Sequence, residues 1–258
     1  IDEPVLVLTA TSGDTGSAAL SGLGGQQGIR IAVIYPADGT SEIQRLQMTS
    51  VPLEDRCVIG LKGTFDDAQR IVKNIFQNAK NLRSPFFGIR LSSANSINIG
   101  RLLPQIVYYV KAWRDLYSLG AIDYGGAFDV VVPSGNFGDI LAARYAKAMG
   151  LPIRRLVCAS NSNRILYDLF ATGIYDRRRL FNKTISPSMD ILVSSNLERL
   201  LYHAFCENSE LVSRLMRQLE NEGFFLIPQQ FAANISDFCA GWADDLQTLE
   251  SIRHMWEI

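Results

Sequence analysis

Histidine is nearly missing from the 258 residues: His203 and His254 are the only two. That excludes a multi-histidine metal centre and leaves little room for histidine-based acid–base chemistry. Lysine is scarce as well, confined to Lys62, Lys73, Lys80, Lys111, Lys147 and Lys183. The four cysteines, Cys57, Cys158, Cys206 and Cys239, lie far apart without metal-ligand spacing. They read as reduced thiols of a cytoplasmic protein rather than a disulfide framework. Apolar runs are short, so no membrane span is expected, and no basic segment opens the chain as a secretory signal would. A net charge of -1 and a pI of about 6.2 leave no electrostatic footprint for nucleic acid or an anionic membrane. No repeat and no low-complexity segment is present. What remains is a chain with 47% hydrophobic residues, enough for a substantial core in one or two domains.

These residues alternate between strand and helix patterns. Residues 5–9, 29–35 and 58–61 are short apolar runs, the form of buried parallel strands. Helix signals lie between and after them: residues 17–23, a stretch capped by Thr40 or Ser41 running through Met48, and a stretch opened by Thr64, Asp66 and Asp67. Beyond Pro85 the style continues. Strands are expected at 87–91, 130–132 and 153–159. Helices are expected at 99–116 with Pro104 in its first turns, from Ile140 to a closing Gly150, and at 164–172, 192–205, 210–223 and 247–258. Residues 176–190 are polar, basic and turn-rich. The alternation predicts an α/β fold of two domains, each on a mainly parallel sheet flanked by helices. Residues 1–86 form the smaller and 87–258 the larger, with the change of domain at 81–87.

Three polar stretches sit where strands give way to helices. Ser134-Gly135-Asn136-Phe137-Gly138 follows one strand. Its glycines let the backbone approach a ligand, and the first N–H groups of the next helix face an anion. An ordinary βα turn accounts for the loop equally well. Thr11-Ser12-Gly13-Asp14-Thr15-Gly16 follows the first strand and offers hydroxyls suited to a carboxylate or phosphate. Residues 92–98 are a dense polar run leading to Arg101, whose guanidinium can pair bidentately with a phosphate. Asn95, Ser96 and Asn98 would also serve as plain helix caps. Loops of this kind gather at the carboxyl ends of parallel strands, where open α/β folds bind ligands.

In order along the chain, LTATSGDTGSAA, SSANSINIGRLLPQIVYY and VVPSGNFGDILA resemble threonine synthase, a pyridoxal-phosphate enzyme of the tryptophan-synthase-β-like group with fold type II. SPSMDILVSSNLERLL is similar to a later region of the same family. The resemblance implies pyridoxal 5′-phosphate as cofactor, its phosphate cradled by Gly135, Asn136, Phe137, Gly138 and Asp139. It implies Asp14 beside the cofactor ring, where related enzymes commonly carry Asn. It also implies Ser12, Gly13 and Thr15 facing the substrate carboxylate, with Ser96, Asn98 and Arg101 as substrate ligands and Arg101 foremost for a dianionic leaving group. The implied enzyme is a cytoplasmic lyase, monomer or homodimer. It converts O-phospho-L-homoserine and water to L-threonine and phosphate, the last step of threonine biosynthesis. The alternatives are a fold type II threonine or serine dehydratase and a non-catalytic binder of phospho-ligands. SANSIN-x-x-R and SPSMDI argue against the dehydratase.

The family also needs a lysine that bonds the cofactor, in a Phe-Lys-Asp context upstream of the TSGDTG loop. No lysine stands before Thr11, and none of the six present has that context. No residue of this chain is therefore assigned a catalytic role. The resemblance implies an internal fragment of a longer threonine synthase, lacking sheet strands at both ends. Such a fragment is expected to expose apolar surface or an open sheet edge and to be inactive alone.

Overall fold

Val5–Ala10 and Ile29–Pro36 are apolar along nearly their whole length, as strands covered on both faces must be. The computed structural model describes residues 4–51, 54–79, 81 and 88–257. The chain divides into two units, Ile1–Asn98 and Ile99–Ile258.

The first unit is built on strands β1 (Val5–Ala10), β2 (Ile29–Pro36), β3 (Arg56–Leu61) and β4 (Arg90–Ser93), all parallel, in the order β3-β2-β1-β4. Helices α1 (Asp14–Leu23), α2 (Glu42–Thr49) and α3 (Phe65–Asn78) connect them. Leu20, Ile31, Val33 and Met48 form the centre of the core. A Cβ on Gly16 would lie 2.6 Å from Thr11 Cγ2 and 2.7 Å from Met48 Sδ, so glycine here lets α1 sit close to its neighbours. Helix α1 begins at Asp14, inside the polar loop, and not at the expected residue 17. Thr11 supplies the reason: its Oγ1 accepts from Gly13 N at 2.8 Å and Gly16 N at 3.0 Å, which settles the helix start early. The expected strand at 87–91 is β4, and its residue Phe87 lies outside the described residues. The expected change of domain at 81–87 also lies, apart from Asn81, outside them. Because β4 pairs with β1, Arg90–Ser93 belongs to the first unit.

The second unit opens with the one-turn helix α4 (Ile99–Leu102), a 3-10 turn at Leu103–Gln105 and helix α5 (Ile106–Ser118). The expected continuous helix is interrupted because Pro104 has no N–H to give. Then come β5 (Phe128–Pro133), α6 (Gly138–Ala148), β6 (Ile153–Ser160), α7 (Ile165–Thr172) and β7 (Ile174–Asp176). Helices α8 (Leu197–Ala204) and α9 (Ser209–Glu222), strands β8 (Phe224–Leu226) and β9 (Phe238–Trp242), and helix α10 (Asp245–Glu257) complete it. Strands β5, β6 and β9 make a parallel sheet in the order β5-β6-β9, and β7 pairs antiparallel with β8. Helix α6 packs on this sheet through Ala142, Ala143 and Ala146, all essentially buried. Gly150 closes α6 as expected: it follows the cap residue Met149 with φ 107°, its N–H bonds Lys147 O at 3.0 Å, and Leu151 N bonds Ala146 O at 3.0 Å. The helix expected at 192–205 starts only at Leu197, because residues 194–196 bond elsewhere. Strands β7, β8 and β9 were not expected: the first two have three residues each, too few to show a period.

Two apolar faces stay uncovered among the described residues. In α5 only Tyr109 is buried, and Val107 is 62% exposed. No residue of α10 is buried, and Leu246 and Trp256 are 72% and 90% exposed. Among the described residues no helix is long and apolar enough to cross a membrane.

Candidate functional site

The β5–α6 loop is held from behind. Ser134 N bonds the Ala159 carbonyl at 2.8 Å, carrying the sheet ladder to the foot of the loop. Gly135 O accepts from Ser194 Oγ at 2.8 Å. Asn136 O accepts from Asn196 N and from Asn196 Nδ2, both at 3.1 Å, and Asn136 Oδ1 accepts from Ser195 Oγ at 3.2 Å. The loop's carbonyls are thus turned into the protein. The N–H groups of Gly135, Phe137, Gly138 and Asp139 have no protein acceptor among the described residues. Those of Gly138 and Asp139 open α6 and carry the positive end of its dipole.

Phe137 makes the turn. It is left-handed (φ 61°, ψ 14°) and stands at the N-cap of α6. Such a residue between right-handed neighbours lines successive N–H groups along one concave side. A bulky residue resists that conformation by about 1–2 kcal/mol. The ring is 1% exposed and stacks on Phe170 at 5.8 Å and against Phe238 at 5.5 Å, which offsets the strain. Phe137 therefore has only its backbone to offer a ligand. Gly135 serves close packing: a Cβ there would lie 2.8 Å from Ile191 Cδ1 and 3.4 Å from Met189 Cα.

Asp139 occupies the first turn of α6. One carboxyl oxygen, Oδ1, is buried without a hydrogen-bond partner. Burial raises this carboxyl above the ordinary aspartate value, with a smaller opposite effect from the Tyr109 hydroxyl. Tyr109 Oη donates to the Asp139 main-chain oxygen at 3.1 Å. Burial, then the Asp139 charge, pushes the Tyr109 phenol up in turn. Helix α4, which carries the half-buried Arg101, packs against α6.

In the first unit the loops after β1 and β4 meet at Ala10. Asn95, 8% exposed, brackets that residue: its Oδ1 accepts from Ala10 N at 2.8 Å and its Nδ2 donates to Ala10 O. Asn98 Nδ2 donates to Ser93 O at 2.8 Å. The structure therefore brings the Ser12–Thr15 and Ser96–Asn98 stretches to the carboxyl ends of neighbouring strands. Ser12, Thr15, Ser96 and Asn98 are half-buried, and Gly13 is buried. Gly13 holds φ 149°, ψ -63°, and a Cβ on it would strike Gln44 at 2.4 Å. Asp14 is exposed and accepts from Gln44 Nε2 at 2.5 Å. Gln44, Asn161 and Asn163 were not singled out in the sequence, and Asp190 and the Ser194–Asn196 stretch stood there only inside the SPSMDILVSSNLERLL motif, with no role given to them. Asn161 and Asn163, just after a strand, carried a signal of position. Among the described residues no cluster of His, Cys, Asp and Glu could hold a metal ion.

No protein-family model matches the chain. Threonine synthase-like 1 of Homo sapiens is 43% identical over 256 residues, covering 96% of this chain and 34% of its own length. Threonine synthase of Eremothecium gossypii is 42% identical over 261 residues, covering 97% of this chain and 49% of the relative. The chain thus spans about a third to a half of the curated relatives it matches. Among solved structures, pyridoxal-phosphate-bound threonine synthase from Brucella melitensis superposes with a TM-score of 0.82 at 39% identity, over 99% of this chain and 53% of that one. In sequence and in fold, the chain is a homologue of the threonine synthases, with the type II architecture of pyridoxal-phosphate enzymes.

Proposed function

We propose that this chain supplies the cofactor-phosphate loop and the substrate-anion loops of a threonine synthase. The whole protein would convert O-phospho-L-homoserine and water to L-threonine and phosphate. The observation that carries this reading is the β5–α6 loop, with its carbonyls tied back and its N–H groups left at a helix start. That donor set fits a phosphate dianion. When bound, pyridoxal phosphate supplies the electron sink that makes the substrate's Cα and Cβ protons acidic.

The chain's own residues then have distinct tasks. Gly135, Asn136, Phe137, Gly138 and Asp139 hold the cofactor phosphate, chiefly through main-chain N–H groups. Asp14, steadied by Gln44, stands beside the ring. Ser12, Gly13 and Thr15 fix the substrate carboxylate. Ser96, Asn98 and Arg101 receive the substrate phosphate, and Arg101 neutralises it as it departs. The lysine that bonds the cofactor is expected outside these 258 residues.

The test uses the full-length protein. Inorganic phosphate release from O-phosphohomoserine is measured against ammonia release from threonine. Phosphate release without ammonia supports the reading; ammonia alone points to a dehydratase and overturns it. Arg101→Ala should raise KM for O-phosphohomoserine at least about tenfold while leaving cofactor affinity nearly unchanged. Similarity to threonine synthase-like 1, whose name sets it apart from the synthases, supports a second reading in which the same loops bind without turnover. Cofactor binding with neither product would select it.

A further inference from the structure

Segment 182–190 is clamped to the end of β6 by one buried carboxylate. Asp190 is 6% exposed. Its Oδ1 accepts from Asn161 Nδ2 at 2.8 Å, from Asn163 Nδ2 at 2.9 Å and from Thr184 Oγ1 at 2.7 Å. Its Oδ2 accepts from Thr184 N at 3.0 Å. Asn163 closes the ring, donating to Asn182 O at 2.7 Å and accepting from Asn182 N at 2.9 Å. Asn161 and Asn163 are themselves 6% and 4% exposed. A buried charge is tolerable only when its lone pairs are met, and here four donors meet them.

The chain leaving this clamp runs straight to the β5–α6 loop. Ile191 presses on Gly135, whose absent Cβ would lie 3.4 Å from Met189 Cα. Leu192 O accepts from Tyr175 Oη at 3.3 Å, and Ser194 N donates to the same hydroxyl at 2.8 Å. Residues 194–196 then hold the carbonyls of Gly135 and Asn136. Every tie that turns the loop's carbonyls inward starts within six residues of Asp190.

We propose that Asp190, through Asn161, Asn163 and Thr184, is the positioning residue that sets the conformation of the Gly135–Asp139 loop for a phosphate. The proposal rests on the reading of that loop as the cofactor-phosphate cradle. Asp190 does not touch the ligand. It fixes the register of the 188–196 strap, and the strap fixes which way the loop's N–H groups face.

The experiment compares two probes on the full-length apoprotein, pyridoxal 5′-phosphate and pyridoxal, each followed by visible absorbance. The wild type should prefer the phosphorylated probe. Asp190→Asn places an amide donor against the Thr184 N–H, and the preference should fall at least about tenfold while pyridoxal affinity stays nearly constant. Thr184→Val, which removes a single hydroxyl, should lower the preference to a smaller extent and decides the matter if Asp190→Asn does not fold. Equal loss for both probes, or an unchanged preference, overturns the proposal. A wild type that binds both probes alike would instead overturn the cradle reading itself.

Discussion

Phe137 shares a positive φ with only two other described residues that are not glycine, Cys206 and Glu207. The sequence assigns this loop to a ligand through its backbone N–H groups and says nothing of the ring. The structure makes the ring an anchor, because the conformation needs a buried ring to hold it. The glycines were legible, since a missing Cβ is a chemical fact at one position. The Asp190 cluster was not, since Asn161 and Asp190 are 29 residues apart and nothing local couples them. Asp139 shows how burial acts on a legible residue. Its carboxyl is raised, so the folded chain binds that proton more tightly than the open chain does. This favours the fold at low pH, and the advantage is lost as pH rises through the folded value. Asp139→Asn removes the charged form's penalty. Thermal unfolding across a pH series should show the variant more stable than wild type near neutrality. The gain should shrink toward the ordinary aspartate value of about 3.9. A gain equal at every pH would mean that the charge is not the cause.

Among elements, α3 was the most legible. Thr64 Oγ1 accepts from Asp67 N at 3.2 Å while Asp67 Oδ2 accepts from Thr64 N at 2.8 Å, a reciprocal cap written in four consecutive residues. Thr64→Ala should cost about 1 kcal/mol in urea unfolding, and a change below a few tenths would show that α3 is held by its packing alone. Helix α1 was misjudged because its cap comes from Thr11, outside the usual N-cap position. The stretch before α8 was misjudged because Ser194–Asn196 spends its polar groups on a loop far away in sequence. Local patterns report local bonds. An element whose ends are decided by long-range partners is placed correctly in its middle and wrongly at its start.

On the scale of the whole molecule, the βα alternation gave the α/β class and the parallel sheets, while the strand order β3-β2-β1-β4 needed long-range pairing to be seen. The apolar face of α10 is a whole-molecule feature too. Among the described residues nothing buries Leu246, Ile252 or Trp256. Replacing these three with lysine should leave unfolding stability of the 258-residue chain within about 0.5 kcal/mol per site and raise its solubility. A large loss of stability would mean that the face is covered. Asn95 carries a consequence for the order of events in synthesis. It grips Ala10 from 85 residues farther along the chain. The strand Val5–Ala10 leaves the ribosome before β2 and β3, which can pair on one side of it as they emerge. Its other side stays open until Arg90–Asn95 has been made, so the Thr11–Gly16 loop can be set in place only after the whole stretch between it and Asn95 has been translated.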